Sequence, residues 1–156
     1  MSFLKKLFSR EPAAPPPPAP YGWATRPMPI GDNLDNLLPT QVGAFVRIEL
    51  RRPSDVHQDP VYARYRKETW EVFVELGICD APRAAQSALD TAKSELQGEP
   101  DVVIQCYSAG TEPSFLKDTS PRLGAFVAWT RGSYYFSAHA KDGDAVLSAF
   151  MACFPY

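Results

Sequence analysis

Residues 61–98 read VYARYRKETWEVFVELGICDAPRAAQSALDTAKSELQG, and the hydrophobic period changes within this stretch. Up to Gly77 the period is two. Val61–Arg66 and Trp70–Gly77 read as strands joined by a tight polar connection at Lys67-Glu68-Thr69, with Trp70, Val72, Val74 and Leu76 on one face of the second. Beyond Cys79 the period becomes 3.6. Ala81, Ala84, Ala85, Ala88, Leu89, Ala92 and Leu96 form a stripe, Asp80 reads as N-cap, Pro82 sits in the first turn and Gly98 follows the last. A stripe of small residues lets a helix lie close on a sheet, so a hairpin running into such a helix predicts an α+β domain.

Working outward, Gln41–Arg51 alternates as a half-buried strand that stops at Arg52-Pro53. Val42, Ala44, Val46, Ile48 and Leu50 share one side, predicted to be the core side, and Phe45, Arg47, Glu49 and Arg51 the other. Downstream, Val102–Tyr107 reads as a buried strand. Ser108–Leu123 reads as a long irregular segment broken by Pro113 and Pro121. Gly124–Arg131 and Tyr134–Ala140 make a second hairpin through Gly132-Ser133. A last helix from near Asp142 turns Val146, Leu147, Phe150, Met151 and Phe154 inward. The order is βββα-βββα, which predicts a single antiparallel sheet of about six strands with two helices packed on one face. Gly43-Ala44-Phe45-Val46 is repeated at Gly124-Ala125-Phe126-Val127, but not at equivalent places in the two halves, so it does not establish a duplication.

Three segments emerge: a basic amphipathic tip over residues 1–10, a proline-rich linker over 11–33, and one globular domain over 34–156. Of 16 prolines, 8 fall between Pro12 and Pro29. The run PAAPPPPAP favours an extended polyproline rod, which reads as a semi-rigid spacer because alanines interrupt it and no flanking charge marks a docking ligand. In the tip, MSFLKKLFSR, a helix would place Phe3, Leu4, Leu7 and Phe8 on one side and Lys5 and Lys6 on the other. Aromatics opposite lysines are the pattern of a short helix lying on an anionic membrane, and contact through six residues, Phe3, Leu4, Lys5, Lys6, Leu7 and Phe8, would be weak and reversible. A frayed terminus, or a helix docked on the chain's own domain, gives the same pattern. The tip resembles the basic-aromatic N-termini of peripheral bacterial membrane proteins, over those ten residues only. The resemblance implies a bacterial-type cytoplasm and the inner face of the membrane. No apolar run is long enough for a span or a signal peptide.

The 45% hydrophobic and 22% charged shares are those of a globular chain. Residues 1–33 hold four basic and two acidic side chains, so of the net −2 the remainder carries −4. A mildly acidic domain lacks the basic footprint of nucleic-acid binding, so no nucleic acid is expected as a partner. Cys79, Cys106 and Cys153 are odd in number and widely spaced, which reads as small buried thiols in a reducing compartment rather than a disulfide frame or a zinc site.

No nucleophile elbow, phosphate loop, dinucleotide fingerprint or metalloprotease helix occurs, so no catalytic residue, metal or cofactor is predicted. Glu71 and Glu75 share a face opposite Arg64 and Arg66, which predicts cross-strand ion pairs on a wet sheet surface. Arginines among aromatics are typical of interfaces and anion sites, so Phe45, Arg47, Arg51, Tyr62, Arg64, Arg66 and Phe73 form the candidate binding surface. An ordinary exposed sheet face would carry the same residues. The functional expectation is a non-catalytic binding or interaction module with a protein partner or self-association. The rival is a small ligand-binding domain or enzyme using the 108–123 loop and His139, with Glu112 and Lys117 beside them.

Overall fold

The computed structural model describes residues 27–31, 33–53, 59–107 and 115–156. The tip (1–10) and most of the linker lie outside the described residues. In chain order the elements are α1 (Leu34–Leu37), β1 (Gln41–Val42), β2 (Phe45–Arg51), β3 (Val61–Lys67), β4 (Trp70–Ile78), α2 (Pro82–Gln97), β5 (Val103–Tyr107), β6 (Phe115–Ser120), β7 (Gly124–Arg131), β8 (Tyr134–Ala140) and α3 (Asp144–Met151). The eight strands make one antiparallel sheet in the order β1-β2-β3-β4-β8-β7-β6-β5. The class is the one expected, α+β on a single antiparallel sheet. The sheet has eight strands rather than about six, and a short third helix precedes it.

Two of the added strands have local causes. Gly43 and Ala44 turn the chain back, so Gln41–Arg51 is a hairpin and not one strand. Gly43 takes φ +56°, and a Cβ there would stand 2.7 Å from Cys153 Sγ, so both conformation and space call for glycine. The turn and a bulge between Arg47 and Glu49 reset the alternation. Phe45 is therefore the core residue, whereas Val46, Ile48 and Leu50, expected inside, are exposed. The other addition is β6, which occupies the end of the segment expected to be irregular. Leu116, Asp118 and Ser120 turn inward with period two between partners on β5 and β7. In turn β5, expected to be buried, is the sheet edge, and Val103 is exposed.

The two long helices lie on opposite faces, which overturns the expected one-face arrangement. On one face α3 delivers Val146, Leu147, Phe150 and Met151 against Val72, Val74, Val127, Trp129, Phe136 and Ala138. Phe150 meets Phe45 and Tyr65 at ring-centroid distances of 5.4 and 5.0 Å, and Trp129 stacks on Phe136 at 5.1 Å. Leu37 of α1 and Leu38, which caps it, join this face, and packing reaches back to Met28. On the other face the stripe of α2 meets the opposite parity of β6–β8 through Ala85, Leu89, Leu116, Ala128 and Tyr135. Pro82 begins α2 as expected, but its N-cap is Ala81 without a side-chain bond, not Asp80. Because α2 spans only β6–β8, the α2 face of β2–β4 is left bare. A rotation about the sheet normal would keep both helices on one side, so the two halves are not copies related by the palindromic strand order. Cys153 is exposed and Cys79 half-buried, both as free thiols, so burial does not account for Cys153.

Candidate functional site

Residues directly opposite in an antiparallel sheet point to the same side, so register alone assembles the bare face. One row crosses six strands as Glu49, Arg64, Phe73, His139, Phe126 and Asp118. The adjacent row, nearer α2, runs Arg51, Tyr62, Glu75, Ser137, Ala128 and Leu116. Five of the seven expected surface residues, Arg51, Tyr62, Arg64, Arg66 and Phe73, thus share this face. Phe73 and Tyr62 are 44% and 40% exposed, large values for aromatics on a sheet.

The other two leave it. Phe45 is 2% exposed in the core, because it follows the Gly43 turn and faces α3. Arg47 pairs in register with Tyr65, pointing to the α3 side, and its guanidinium donates to the Leu38 carbonyl and to Asp35 Oδ1 at 2.6 Å. It holds α1 in place and is not available to a partner.

Between the bare half and the end of α2 runs a groove of about 370 Å³, lined by Tyr62, Phe73, Glu75, Leu96, Asp118, Leu123, Phe126, Ser137 and His139. A second hollow of about 420 Å³ continues it over Arg51, Pro53 and Arg64, sharing Tyr62 and Phe73. Volumes of this order suit small ligands, as does an aromatic floor with a few polar groups.

The charges divide into two kinds. On the bare half Arg64 and Arg66 are paired: Arg64 reaches Glu49 at 3.1 Å and Glu71 at 3.9 Å, and Arg66 Nε donates to Glu71 at 3.0 Å. The Arg66 hydrogen bond holds the Glu71 carboxyl below its ordinary range. The expected cross-strand pairs are therefore present for Glu71, whereas Glu75 faces Tyr62 and makes no ion pair among the described residues. Arg64 Nε is buried with no acceptor among the described residues.

Toward α2 the carboxyls are desolvated. Burial raises the Glu75 pKa, with Glu95 of α2 adding to it. Asp118 is only 2% exposed; burial raises its pKa and the nearby His139 pulls it back. Sequence reasoning missed Asp118, since it fell in the segment expected to be irregular. Its signal was the alternation of Leu116, Asp118 and Ser120 between two prolines.

His139 Nε2 lies 2.6 Å from the Leu123 carbonyl oxygen. A carbonyl only accepts, so Nε2 carries the hydrogen. Lys117 points to the α3 face, where its Nζ meets Asp144 at 2.9 Å, and Glu112 lies outside the described residues. The structure does not bring His139 and Lys117 together. Among the described residues no cluster of three metal-ligating side chains exists and no helix is long and apolar enough to cross a membrane. Comparison with protein-family models, curated proteins and solved structures finds no match.

Proposed function

We propose that the chain is a non-catalytic binding module whose ligand lies in the groove across the bare half of the sheet. The groove carries the reading. Its floor of Tyr62, Phe73 and Phe126 is apolar, the first two are exposed to solvent, and its polar groups sit at defined places in the register. The spacer and tip would carry this module near an anionic membrane.

Size favours a small ligand over self-association. Three strands of about seven residues, at ~4.8 Å by ~3.3 Å, present roughly 330 Å². That is under half the ~800 Å² per partner of a stable interface.

Catalysis by His139 is disfavoured by geometry. Ser137 stands two positions away on the same strand, roughly 6.6 Å along it. One imidazole nitrogen is already committed to the Leu123 carbonyl.

The test is chemical-shift mapping with small aromatic and aliphatic fragments, on the wild type and on a Tyr62→Ala/Phe73→Ala variant. Saturable shifts clustered on groove residues, lost in the variant, are expected. Binding elsewhere, or equal binding by the variant, sinks the proposal. For the tip, co-sedimentation with anionic vesicles should fall when residues 1–10 are deleted, and unchanged binding removes that part.

A further inference from the structure

We infer that the groove takes a small organic cation, an amine whose ammonium group sits on Asp118 and whose apolar body lies across Phe126 toward Phe73. This rests on the binding-module reading and names its ligand class.

The first argument is a carboxyl group held almost out of water in the groove wall. Asp118 lies on β6 in the groove wall at 2% exposure, and the charge that acts on its carboxyl among the described residues is that of His139. A carboxylate withdrawn from water is costly unless a positive or donating group stands against it. A ligand ammonium brings three donors and a positive charge to that oxygen pair.

The second argument is the surrounding field. The groove wall includes Leu96 in the last turn of α2, and the C-terminal end of a helix carries partial negative charge that favours cations. Glu75 stands roughly 15 Å away, across three strand spacings. It adds negative potential without touching the same group. Against these carboxyls stand His139, whose charge acts on Asp118 from the same groove, and Arg51 beside Tyr62, whereas the guanidinium of Arg64 is committed to Glu49 and Glu71.

The third is the floor. Phe126 lies directly between Asp118 and His139 in register, and Phe73 lies beyond His139. Aromatic faces attract cations and cover an alkyl body equally well. From Asp118 to Phe73 the span is roughly 14 Å between Cα atoms, so a chain of about six carbons with its ammonium at one end reaches across Phe126 toward Phe73.

The full chain is titrated with n-hexylammonium, hexan-1-ol and hexanoate, read by amide shifts at Phe73, Phe126 and His139. The ammonium is expected to bind at least tenfold more tightly than the alcohol, with the carboxylate weakest. Asp118→Asn, checked for folding by its unfolding curve, should weaken the ammonium at least tenfold and leave the alcohol unchanged. Phe73→Ala should weaken ammonium and alcohol alike, and it keeps the test valid if Asp118→Asn folds poorly. Equal binding of the three probes, or full ammonium affinity in Asp118→Asn, overturns the cation while leaving the groove standing as a site. If no probe moves a groove residue, the ligand class and the binding-module reading fall together.

Discussion

Strands β6–β8 and strands β2–β4 belong to one sheet and present the same face, yet their residues there differ in kind. Under α2 that face carries Leu116, Ala128 and Tyr135, packed on Ala85 and Leu89. Beyond the helix it carries Arg64, Arg66, Glu71 and Phe73, left to solvent and to one another. Both halves contribute buried apolar side chains to one core on the α3 side, so the core does not explain the contrast. What differs is the reach of one sixteen-residue helix, roughly 24 Å long. The groove lies at the boundary it leaves, where desolvated carboxyls meet exposed aromatics.

The contrast can be broken or sharpened by substitution, and the largest effect belongs to the α3 side. Leu76 and Phe73 lie three apart on β4 but on opposite faces, with Leu76 fully buried. Leu76→Ala should cost about 2–5 kcal/mol in urea unfolding, whereas Phe73→Ala, although it removes a bulkier group, should cost less than about 1 kcal/mol. Equal losses would mean that the bare half is covered in solution.

Next comes the seam beneath α2. Ala85 is fully buried against Leu116, Ala128 and Tyr135. Ala85→Leu should destabilise by about 1–3 kcal/mol through overpacking, and a neutral result would show that α2 rides loosely.

A third, smaller effect has the opposite sign. Asp118 and Glu75 hold protons more tightly in the fold than in the unfolded chain. Their contribution to stability is therefore fully present below the ordinary carboxylate values, 3.8 for Asp118, and is lost as pH rises through the raised folded-state values. Asp118→Asn should stabilise the protein at neutral pH and flatten this decline, seen as the melting temperature across about pH 4 to 8. A destabilised variant would show that the carboxylate is satisfied after all. The site would then cost the fold nothing.

The smallest effect is expected on the bare half. Glu71 sits below its ordinary range through Arg66, so its contribution is present at neutral pH and lost as pH falls. Exposure and salt screen it. Glu71→Gln should lower the melting temperature slightly, and added salt should erase the difference. A large loss would place the pair in a drier setting than the bare half provides.

Much of this was legible in the chain. The hairpin β3–β4, the hairpin β7–β8 and the inward set of α3 follow from period and turn chemistry over ten to twenty residues. The two-sided burial of β7 was also legible: Ala125-Phe126-Val127-Ala128-Trp129 is a continuous apolar run, whereas β3 alternates as Val61-Tyr62-Ala63-Arg64-Tyr65-Arg66. Continuous runs mark strands covered on both sides. Expecting both helices on one face overlooked that difference. The inward set of β2 was harder to read, because one glycine turn and one bulge each shift the parity without altering the composition.

The sequence by itself therefore determined the α+β class, the helices α2 and α3, the hairpins β3–β4 and β7–β8 and the polar character of the face that carries Arg64 and Arg66. These depend on local periodicity and on glycine and proline, whose effects act within a few residues. Only the tertiary structure decided that α2 and α3 lie on opposite faces and that β4 pairs with β8. It also decided that Asp118 on β6 stands in one row with His139 and Phe73, residues far from it in the chain. Pairing across such separations is selected by how whole faces cover one another, and no window of sequence contains both partners.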